Sequence, residues 1–318
     1  WRISPEATER AIRAAITGHL VDPESGEFNR HAEGATGCAF LEAGGILVET
    51  LAWLYARTGD AGLIATADKI ASYSYRHRNP ETGLPENNPT WRRWDKVTST
   101  TEVGLWAGAL LRAVAYVGTA EPAAEGWLAI ADAAVSAWLR YGFDEATGRY
   151  YGRLDVTDGS PILGPKETPY QPGDYSDLWA PLFPTHDYPM SFAEACLALY
   201  ATTGADRYRT ACERWVEIIE QALPARKGLG AYAEHYGRCL HFLLGYDEVF
   251  GGVGDLVERL ASEALDTLFI ADEAGGAGMF RGHPGELRYD AVDGVGFLLL
   301  ALLQFATGRE PDTMGLGW

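Results

Sequence analysis

The sequence predicts an all-α fold, an (α/α) toroid of five to six helical hairpins with an inner apolar ring and an outer amphipathic ring. Two observations support this prediction. Short turns of the form Asx-x-x-x-Gly recur along the chain, and the helix-period apolar patterns between them alternate between two classes. Strand patterns are nearly absent, apart from a weak aromatic run at residues 149–153. We therefore interpret residues 1–318 as a single toroid domain.

The repeated turn is the first of two signals that divide the chain. It occurs at residues 22–26, 79–83, 144–148 and 272–276, each with Asp or Asn first and Gly last. The Asx side chain accepts hydrogen bonds from its own backbone, and Gly allows positive φ. The second signal is Gly followed by Asp, as at Gly59 and Asp60, which stops one helix and caps the next. Together the signals predict helices joined in pairs.

The segments between these signals are helical in period but differ in apolar pattern. A single apolar stripe characterises residues 5–18, 60–77, 121–141, 206–222 and 254–270. An apolar pattern on nearly every side characterises residues 36–57, 98–117, 187–202, 231–250 and 288–306. A helix that is apolar all round is stable only when it is buried all round. The second class is therefore predicted to line the inside of a ring formed by the first.

One stretch breaks the alternation. Residues at about 152–186 show no helical pattern, and seven of the sixteen prolines lie between positions 161 and 189. A long irregular segment in a compact domain usually acts as a lid or a binding loop. This segment contains Tyr170, Tyr175 and Trp179, so we predict that it is a lid loop over the mouth of the toroid.

Composition restricts the function classes. The formal net charge of −18 argues against nucleic-acid binding, since phosphate contacts need a basic surface. No run reaches the 18 or more apolar residues of a transmembrane helix, so we predict no membrane partner. Aromatic residues are abundant and suit stacking on sugar rings. The chain starts at Trp1, which we interpret as a processed or trimmed form, and its compartment is left open.

Cofactor and metal motifs are absent from the sequence. There is no glycine-rich phosphate loop, HExxH or EF-hand pattern. The four cysteines lie in helical patterns without ligand spacing, and we predict buried thiols. We therefore predict no cofactor, while a divalent cation that bridges a substrate carboxylate is left open. The oligomeric state is predicted as monomer or homodimer.

The hairpin repeat, the Thr-Gly-Asp punctuation and the Asx turns give the whole chain a resemblance to the (α/α)-barrel carbohydrate-active enzymes. That group contains polysaccharide lyases, unsaturated glucuronyl hydrolases, several glycoside hydrolases and the N-acylglucosamine 2-epimerase family. The resemblance is one of fold, and no catalytic signature carries over residue by residue. It implies an oligo- or polysaccharide substrate that binds in one end of the toroid.

Five groups of polar and aromatic residues follow the turns and open the inner helices, so we predict that they meet at this end. The first is residues 29–31 with Glu33 and Glu42, and the second is residues 86–96 with Glu102. The third is residues 186–188 with Glu194. The fourth is Tyr232 with residues 234–236 and Arg238. The fifth is His283, Glu286 and residues 288–293.

The leading hypothesis is β-elimination from a uronate-containing saccharide by a polysaccharide lyase. This reaction needs a base for the C5 proton, an acid for the leaving oxygen and a group that neutralises the carboxylate. Candidate catalytic residues are His235, Tyr236, His186, Tyr188 and Arg238. Candidate substrate-binding residues are Asn88, Trp91, Arg92, Arg93, Trp94, Tyr232, His283, Arg288, Tyr289, Asp290, Asp293 and Glu102.

Three alternatives stay open. A glycoside hydrolase would use two carboxylates, with Asp290 and Asp293 on one helix face and Glu102, Asp187 and Glu194 as partners. A sugar epimerase would use two bases, such as His186 with His283 or His235. A non-catalytic toroid would only bind sugars or partner proteins.

Overall fold

The computed structural model describes residues 1–31, 37–90, 96–166, 171–179, 187–223, 231–271, 278–285, 294–309 and 311. The chain divides into two compact units. The first contains Trp1–Phe143 and Arg153–Leu163, and the second contains Asp144–Gly152 and the chain from Gly164 onward.

Both units are built from helices, whose bounds follow the apolar patterns closely. In the first unit these are α1 (Pro5–His19), α2 (Leu41–Thr58), α3 (Ala61–Arg76), α4 (Thr100–Val117) and α5 (Pro122–Tyr141). In the second they are α6 (Met190–Thr203), α7 (Asp206–Ala222), α8 (Ala233–Phe250), α9 (Gly254–Leu268) and α10 (Val295–Thr307).

The strands of the described chain are two or three residues long. They are β1 (Leu20–Asp22), β2 (Glu27–Phe28), β3 (Val97–Ser99), β4 (Phe143–Asp144), β5 (Arg149–Tyr150), β6 (Arg153–Asp155), β7 (Phe269–Ala271) and β8 (Gly278–Phe280). β1 pairs with β2, β3 with β6 and β7 with β8, each time in antiparallel orientation. These pairs close the ends of helical hairpins and build no larger sheet in the described chain.

The repeated turns have one geometry. At Gly26, Gly83 and Gly148 the N–H group donates to the carbonyl of the Asx residue four positions earlier, at 2.8–2.9 Å, with φ between 67° and 79°. A turn that the pattern search missed, from Asp155 to Gly159, closes in the same way at 2.8 Å. Its third residue is Thr where the repeated pattern has Glu or Ala. The turn at 272–276 lies outside the described residues.

In the first unit, α2 packs against α3 and α4, and α4 packs against α5. The tryptophan side chains of α4 and α5 at positions 106, 127 and 138 are fully buried. Gly45 of α2 permits close helix contact, because a Cβ there would lie 3.0 Å from the Trp106 Cα. The apolar α2 and α4 are therefore the inner helices of this unit, as the sequence predicts.

In the second unit, α8 packs against α6, α9 and α10, and α6 packs against α7. Its core contains fully buried Tyr150, Phe192, Tyr208, Trp215 and Phe242. Gly237 of α8 allows the backbone of α10 to approach, since a Cβ there would lie 2.5 Å from the Leu298 nitrogen. The four cysteines are free thiols, and three are buried while Cys38 is partly exposed.

The predicted lid loop contains more structure than its sequence indicates. β6 pairs with β3 immediately before α4, with Ser99 opposite Arg153. Farther along, Gln171 and Trp179 are buried. Residues 167–170 and 180–186, which include Tyr170 and His186, lie outside the described part, and the role of a lid stays a prediction. Among the described residues, no helix has the length and apolar character needed to span a membrane.

Candidate functional site

In the first unit, two glutamates occupy the first turns of neighbouring inner helices. Glu42 lies at the start of α2 and Glu102 at the start of α4. The Glu42 N–H donates to Glu102 Oε2 at 3.2 Å, so the Glu102 carboxyl group also caps α2. The Glu42 side chain is 3% exposed, whereas Glu102 keeps part of its surface accessible. The Glu42 side chain is thus buried, and Glu102 as a whole residue is half-buried.

Asn87 sets the relative position of these two helix starts. Its carbonyl accepts a hydrogen bond from the Leu41 N–H at 3.0 Å, at the first residue of α2. Its side-chain amide exchanges two hydrogen bonds of 3.1 Å with Ser99, the N-cap of α4. The Ser99 hydroxyl in turn accepts from the Glu102 N–H at 3.4 Å. One buried asparagine therefore holds both carboxylate-bearing turns together.

The electrostatics of the pair are unequal. Burial, and next the charge of Glu42, hold the pKa of the Glu102 carboxyl well above its usual range. The helix N-terminus favours the anion, but burial and the second carboxylate outweigh it. Arg30 Nη1 lies 3.1 Å from Glu42 Oε1 and stabilises the Glu42 charge. In the described part of the chain, no N–H or O–H group donates to Glu42 Oε2.

The second unit contains a different cluster, at the start of α8. Glu234 and Arg238 form an ion pair at 2.6 Å, with both side chains about 95% buried. The Arg238 guanidinium also lies over the Phe297 ring at 4.4 Å and the Tyr188 ring at 5.3 Å. Gly294 touches this pair, because a Cβ there would lie 2.3 Å from the Glu234 Cβ. The Arg238 charge is thus balanced within the protein.

His235 is the buried base of this cluster. Burial, followed by the nearby Arg238 charge, lowers the pKa of His235 to about 3, so its ring is neutral near pH 7. Within the described residues, neither ring nitrogen has a hydrogen-bond partner. The Tyr232 ring lies 6.2 Å from it and 4.6 Å from the ring of His283. The structure therefore brings Tyr232 and His235 of the fourth group close to His283 of the fifth, and a shared role in a site stays a prediction.

Two of the predicted residues are engaged in other interactions. The Tyr236 hydroxyl donates to Glu263 Oε1 on α9 at 2.7 Å, and burial together with that bond raises its pKa. The Asn88 side chain donates to the Gly37 carbonyl at 3.1 Å and accepts from Thr90 through both its N–H and its hydroxyl. Their proposed roles as acid and as carboxylate ligand stay predictions.

Other candidates are placed as follows. Asp187 accepts the N–H of Asp177 at 3.0 Å, and Glu194 lies 2.8 Å from His241 Nδ1. The candidates outside the described residues are His186, Trp91, Arg92, Arg93, Trp94, Arg288, Tyr289, Asp290 and Asp293. Their roles stay predictions.

The sequence analysis placed Arg30 and Glu42 in the first group of mouth residues but assigned neither to the site. Glu42 could have been assigned to the site from the sequence, because it is a glutamate in the first turn of a helix that is otherwise apolar all round. In the described segments, His, Cys, Asp and Glu side chains form no group of three that could hold a metal ion.

No protein-family model and no curated protein sequence matches this chain. Solved structures do match it in fold. A D-mannose isomerase matches with a TM-score of 0.61 and 15% identity, over 97% of this chain and 83% of that chain. The cellobiose 2-epimerase from Spirochaeta thermophila matches with a TM-score of 0.57 and 15% identity, over 84% and 72%.

A glycoside hydrolase of family 105 from C. acetobutylicum also matches, with a TM-score of 0.56 and 14% identity, over 96% of this chain and 89% of that chain. These structural neighbours are (α/α)-toroid enzymes that act on carbohydrates. At this level of identity they establish the fold, so the predicted (α/α) toroid is confirmed.

Proposed function

We propose that this protein is a carbohydrate-active enzyme that hydrolyses glycosidic bonds, with Glu102 as the proton donor and Glu42 as its partner carboxylate. The observation that supports this proposal is the contact between the two glutamates, together with the raised pKa of the Glu102 carboxyl. Two carboxyl groups with unequal environments are the usual means of keeping an acid and an anion side by side near neutral pH.

The proposed step follows from this inequality. Glu102 donates its proton to the glycosidic oxygen as the bond to the anomeric carbon breaks, and water supplies the hydroxyl group that replaces the leaving sugar. The proton released by that water returns the pair to its starting state. Glu42 favours this return, because a second negative charge beside it is costly in a site of low polarity.

Glu42 and Glu102 would both lie on the same side of the glycosidic bond. Glycosidases that flank the bond with two carboxyl groups separate them by about 5–5.5 Å when retaining and about 6.5–9.5 Å when inverting. Glu42 and Glu102 instead touch each other, which leaves no room for a sugar ring between them. We therefore assign only the acid–base role to this pair and leave the group on the opposite face unassigned.

The comparisons support the substrate class. The similar structures include a glycoside hydrolase, an epimerase and an isomerase of sugars, so a saccharide is the substrate that we propose. A uronate-containing saccharide stays the predicted subclass, with Asn88, Arg92, Arg93 and Arg238 as the predicted carboxylate ligands.

The second candidate is the predicted β-elimination. The observation that favours it is the His235 ring in the second unit, whose two nitrogens have no hydrogen-bond partner among the described residues and which lies near the Arg238 charge. Two features weigh against it. A pKa of about 3 makes His235 a weak base, and Arg238 already has Glu234 as its counter-ion. Epimerisation by two histidines is ranked third, because His186 would be one of them and lies outside the described residues.

Product analysis separates the two leading candidates. The protein is incubated with cello-oligosaccharides, α-1,6-linked mannotriose, a uronate polysaccharide and its pre-cut unsaturated disaccharide. Hydrolysis is expected to produce new reducing ends without a gain in ultraviolet absorbance, or to consume the unsaturated disaccharide. A growing ultraviolet signal from a 4,5-unsaturated uronate would instead support elimination and contradict our assignment.

Matched variants then assign the chemistry to residues. Glu102→Gln keeps the shape and the acceptor for the Glu42 N–H but cannot serve as a carboxylic acid. We expect turnover to fall about 10²–10⁴-fold, the usual contribution of general acid–base catalysis. In His235→Ala, the rate of hydrolysis should stay measurable. Complete loss of turnover in this variant would instead indicate that elimination is the reaction. Full activity in the Glu102 variant would exclude this residue as the acid.

A further inference from the structure

We propose that Asn87 is a positioning residue for the Glu42–Glu102 pair and that turnover depends on its side-chain hydrogen bonds to Ser99. This inference deepens the proposed function and rests on it for its catalytic meaning. Its geometric part is that Asn87 holds the first turns of α2 and α4 in contact. That part can be measured without any substrate.

The side chain of Asn87 matches both polar groups of Ser99. The Ser99 N–H can only donate, and Asn87 Oδ1 accepts from it at 3.1 Å. The Ser99 hydroxyl accepts from Asn87 Nδ2 at 3.1 Å, and it also accepts from the Glu102 N–H at 3.4 Å. A carboxamide offers an acceptor and a donor side by side. Asn87 therefore fixes the hydroxyl group that caps α4.

The backbone of Asn87 joins the same region to α2. Its N–H donates to the Val97 carbonyl in β3 at 2.8 Å, and its carbonyl accepts from the Leu41 N–H at 3.0 Å. Leu41 is the first residue of α2, and Glu42 is the second. Because Asn87 is 1% exposed, water does not compete for these bonds. One residue thus links the start of α2 to the strand that leads into α4.

The first turns of both helices depend on contacts from outside the helix. The first four N–H groups of a helix have no partner within it. In α2, the Leu41 N–H donates to the Asn87 carbonyl instead, and the Glu42 N–H donates to Glu102 Oε2 at 3.2 Å. In α4, the Glu102 N–H donates to the hydroxyl that Asn87 fixes. Loss of the Asn87 side chain should therefore move the Glu102 carboxyl away from the Glu42 N–H.

Such a displacement should affect the chemical step. General acid catalysis requires the acid within hydrogen-bond distance of the accepting atom, and a misplacement of about 1 Å can cost about 10²-fold in rate. Asn87→Leu keeps a side chain of similar size but removes both bonds to Ser99. We expect kcat to fall about 10–100-fold in this variant. KM should change little, because Asn87 is buried and acts through Glu102 rather than by contact with the sugar.

Thr82→Val is the matched control. Thr82 also lies between α3 and β3, is 5% exposed and makes two side-chain hydrogen bonds. Its hydroxyl donates to the Val156 carbonyl at 2.7 Å and accepts from the Leu84 N–H at 3.2 Å. Neither partner belongs to α2 or α4. This variant should lose stability as Asn87→Leu does, since both remove two buried hydrogen bonds, but it should keep the wild-type kcat per folded molecule.

Two measurements test the inference. Amide hydrogen exchange followed by NMR reports whether the N–H groups of Leu41, Glu42 and Glu102 stay bonded. Asn87→Leu should speed exchange at all three, and Thr82→Val should not. Steady-state kinetics then gives kcat and KM of the same variants at a temperature where each is folded. In a Glu102→Gln background, Asn87→Leu should cost no further turnover, because it acts through Glu102.

The outcomes are separable. Wild-type exchange at the three N–H groups in Asn87→Leu would overturn the geometric part. Faster exchange with unchanged kcat, while Glu102→Gln is impaired, would overturn the positioning role, and so would a fully additive loss in the double variant. Full activity of Glu102→Gln would refute the proposed function and with it the catalytic meaning, while the exchange comparison would still decide the geometric part.

A second variant keeps the test decisive if Asn87→Leu does not fold. Ser99→Ala removes the hydroxyl that joins Asn87 to the Glu102 N–H but leaves the backbone N–H bonded to Asn87 Oδ1. It should speed exchange at Glu102 and lower kcat in the same direction. Wild-type exchange and wild-type kcat in Ser99→Ala would overturn the inference.

Discussion

The substitution Glu102→Gln should affect activity and stability in opposite directions. Glu102 has a raised pKa in the native state, so its neutral form is the one that the fold favours. Between the unfolded pKa and the folded pKa, the native protein binds more protons than the unfolded chain, and its stability falls as pH rises. Above the folded pKa the native state contains two adjacent carboxylates. A neutral side chain of the same shape removes that penalty.

The structure gives the expected size of the effect. The glutamine carbonyl can still accept the Glu42 N–H now bonded at 3.2 Å, and glutamine places no second charge beside the Glu42 carboxylate. Keeping a proton on the wild-type Glu102 above its unfolded pKa costs about 1.4 kcal/mol per pH unit, a cost that glutamine does not have. We therefore expect the free energy of unfolding near neutral pH to rise by about 1–3 kcal/mol, while turnover falls by at least two orders of magnitude.

Urea denaturation at several pH values measures the first effect, and the rate of product formation measures the second. Glu49→Gln is the control, because Glu49 is also buried on α2 but is paired with Arg112. That variant should lose stability and keep its activity per folded molecule. The reasoning is refuted if Glu102→Gln is less stable than wild type at neutral pH and retains the wild-type pH dependence of unfolding.

Three further predictions concern the rest of the fold. The wild type should lose stability as pH falls from about 6.5 toward 3, because the unfolded chain protonates His235 and the native state does not. The loss in the free energy of unfolding has an upper bound of about 5 kcal/mol. Urea denaturation across this pH range measures it, and His235→Gln should flatten the pH dependence. Arg238→Ala should cost about 3–5 kcal/mol in urea denaturation by leaving Glu234 buried without its partner, and a loss below about 1 kcal/mol would contradict the ion-pair assignment. Gly26→Ala should lower the melting temperature more than Gly148→Ala. Both glycines have positive φ, but only alanine at position 26 would place a Cβ 2.3 Å from the Lys69 carbonyl oxygen. Equal losses would show that the backbone φ alone sets the cost of the substitution.

Much of the fold was predictable because its causes are local. The start of α7 at Asp206 and the ends of α4 and α5 coincide with the predicted bounds, since each helix is set by its own apolar period and its flanking Gly, Pro or Asp. The Asx turns are equally local, because side-chain and backbone bonds within five residues define them. The Asp155 turn has the same geometry, but its third residue departs from the repeated sequence pattern.

The candidate site was predicted only in part, because residues far apart in the sequence contact each other there. That Tyr232 and His235 are close follows from their spacing on one helix, and the ion pair between Glu234 and Arg238 also has helical i, i+4 spacing. The direction in which Tyr236 points does not follow, because Glu263 lies on another helix. Spacing along the chain therefore gives a residue's helical face but not its partner across helices.

The sequence by itself determined the helices, their order, the turns between them and which helices are inner. These follow from short-range propensity and from the requirement that an apolar face be buried. Only the tertiary structure decided that Glu42 and Glu102, sixty positions apart, touch each other while Arg30 forms an ion pair with Glu42. A pKa depends on burial and on charges within a few ångströms, and those neighbours come together only when the inner helices pack.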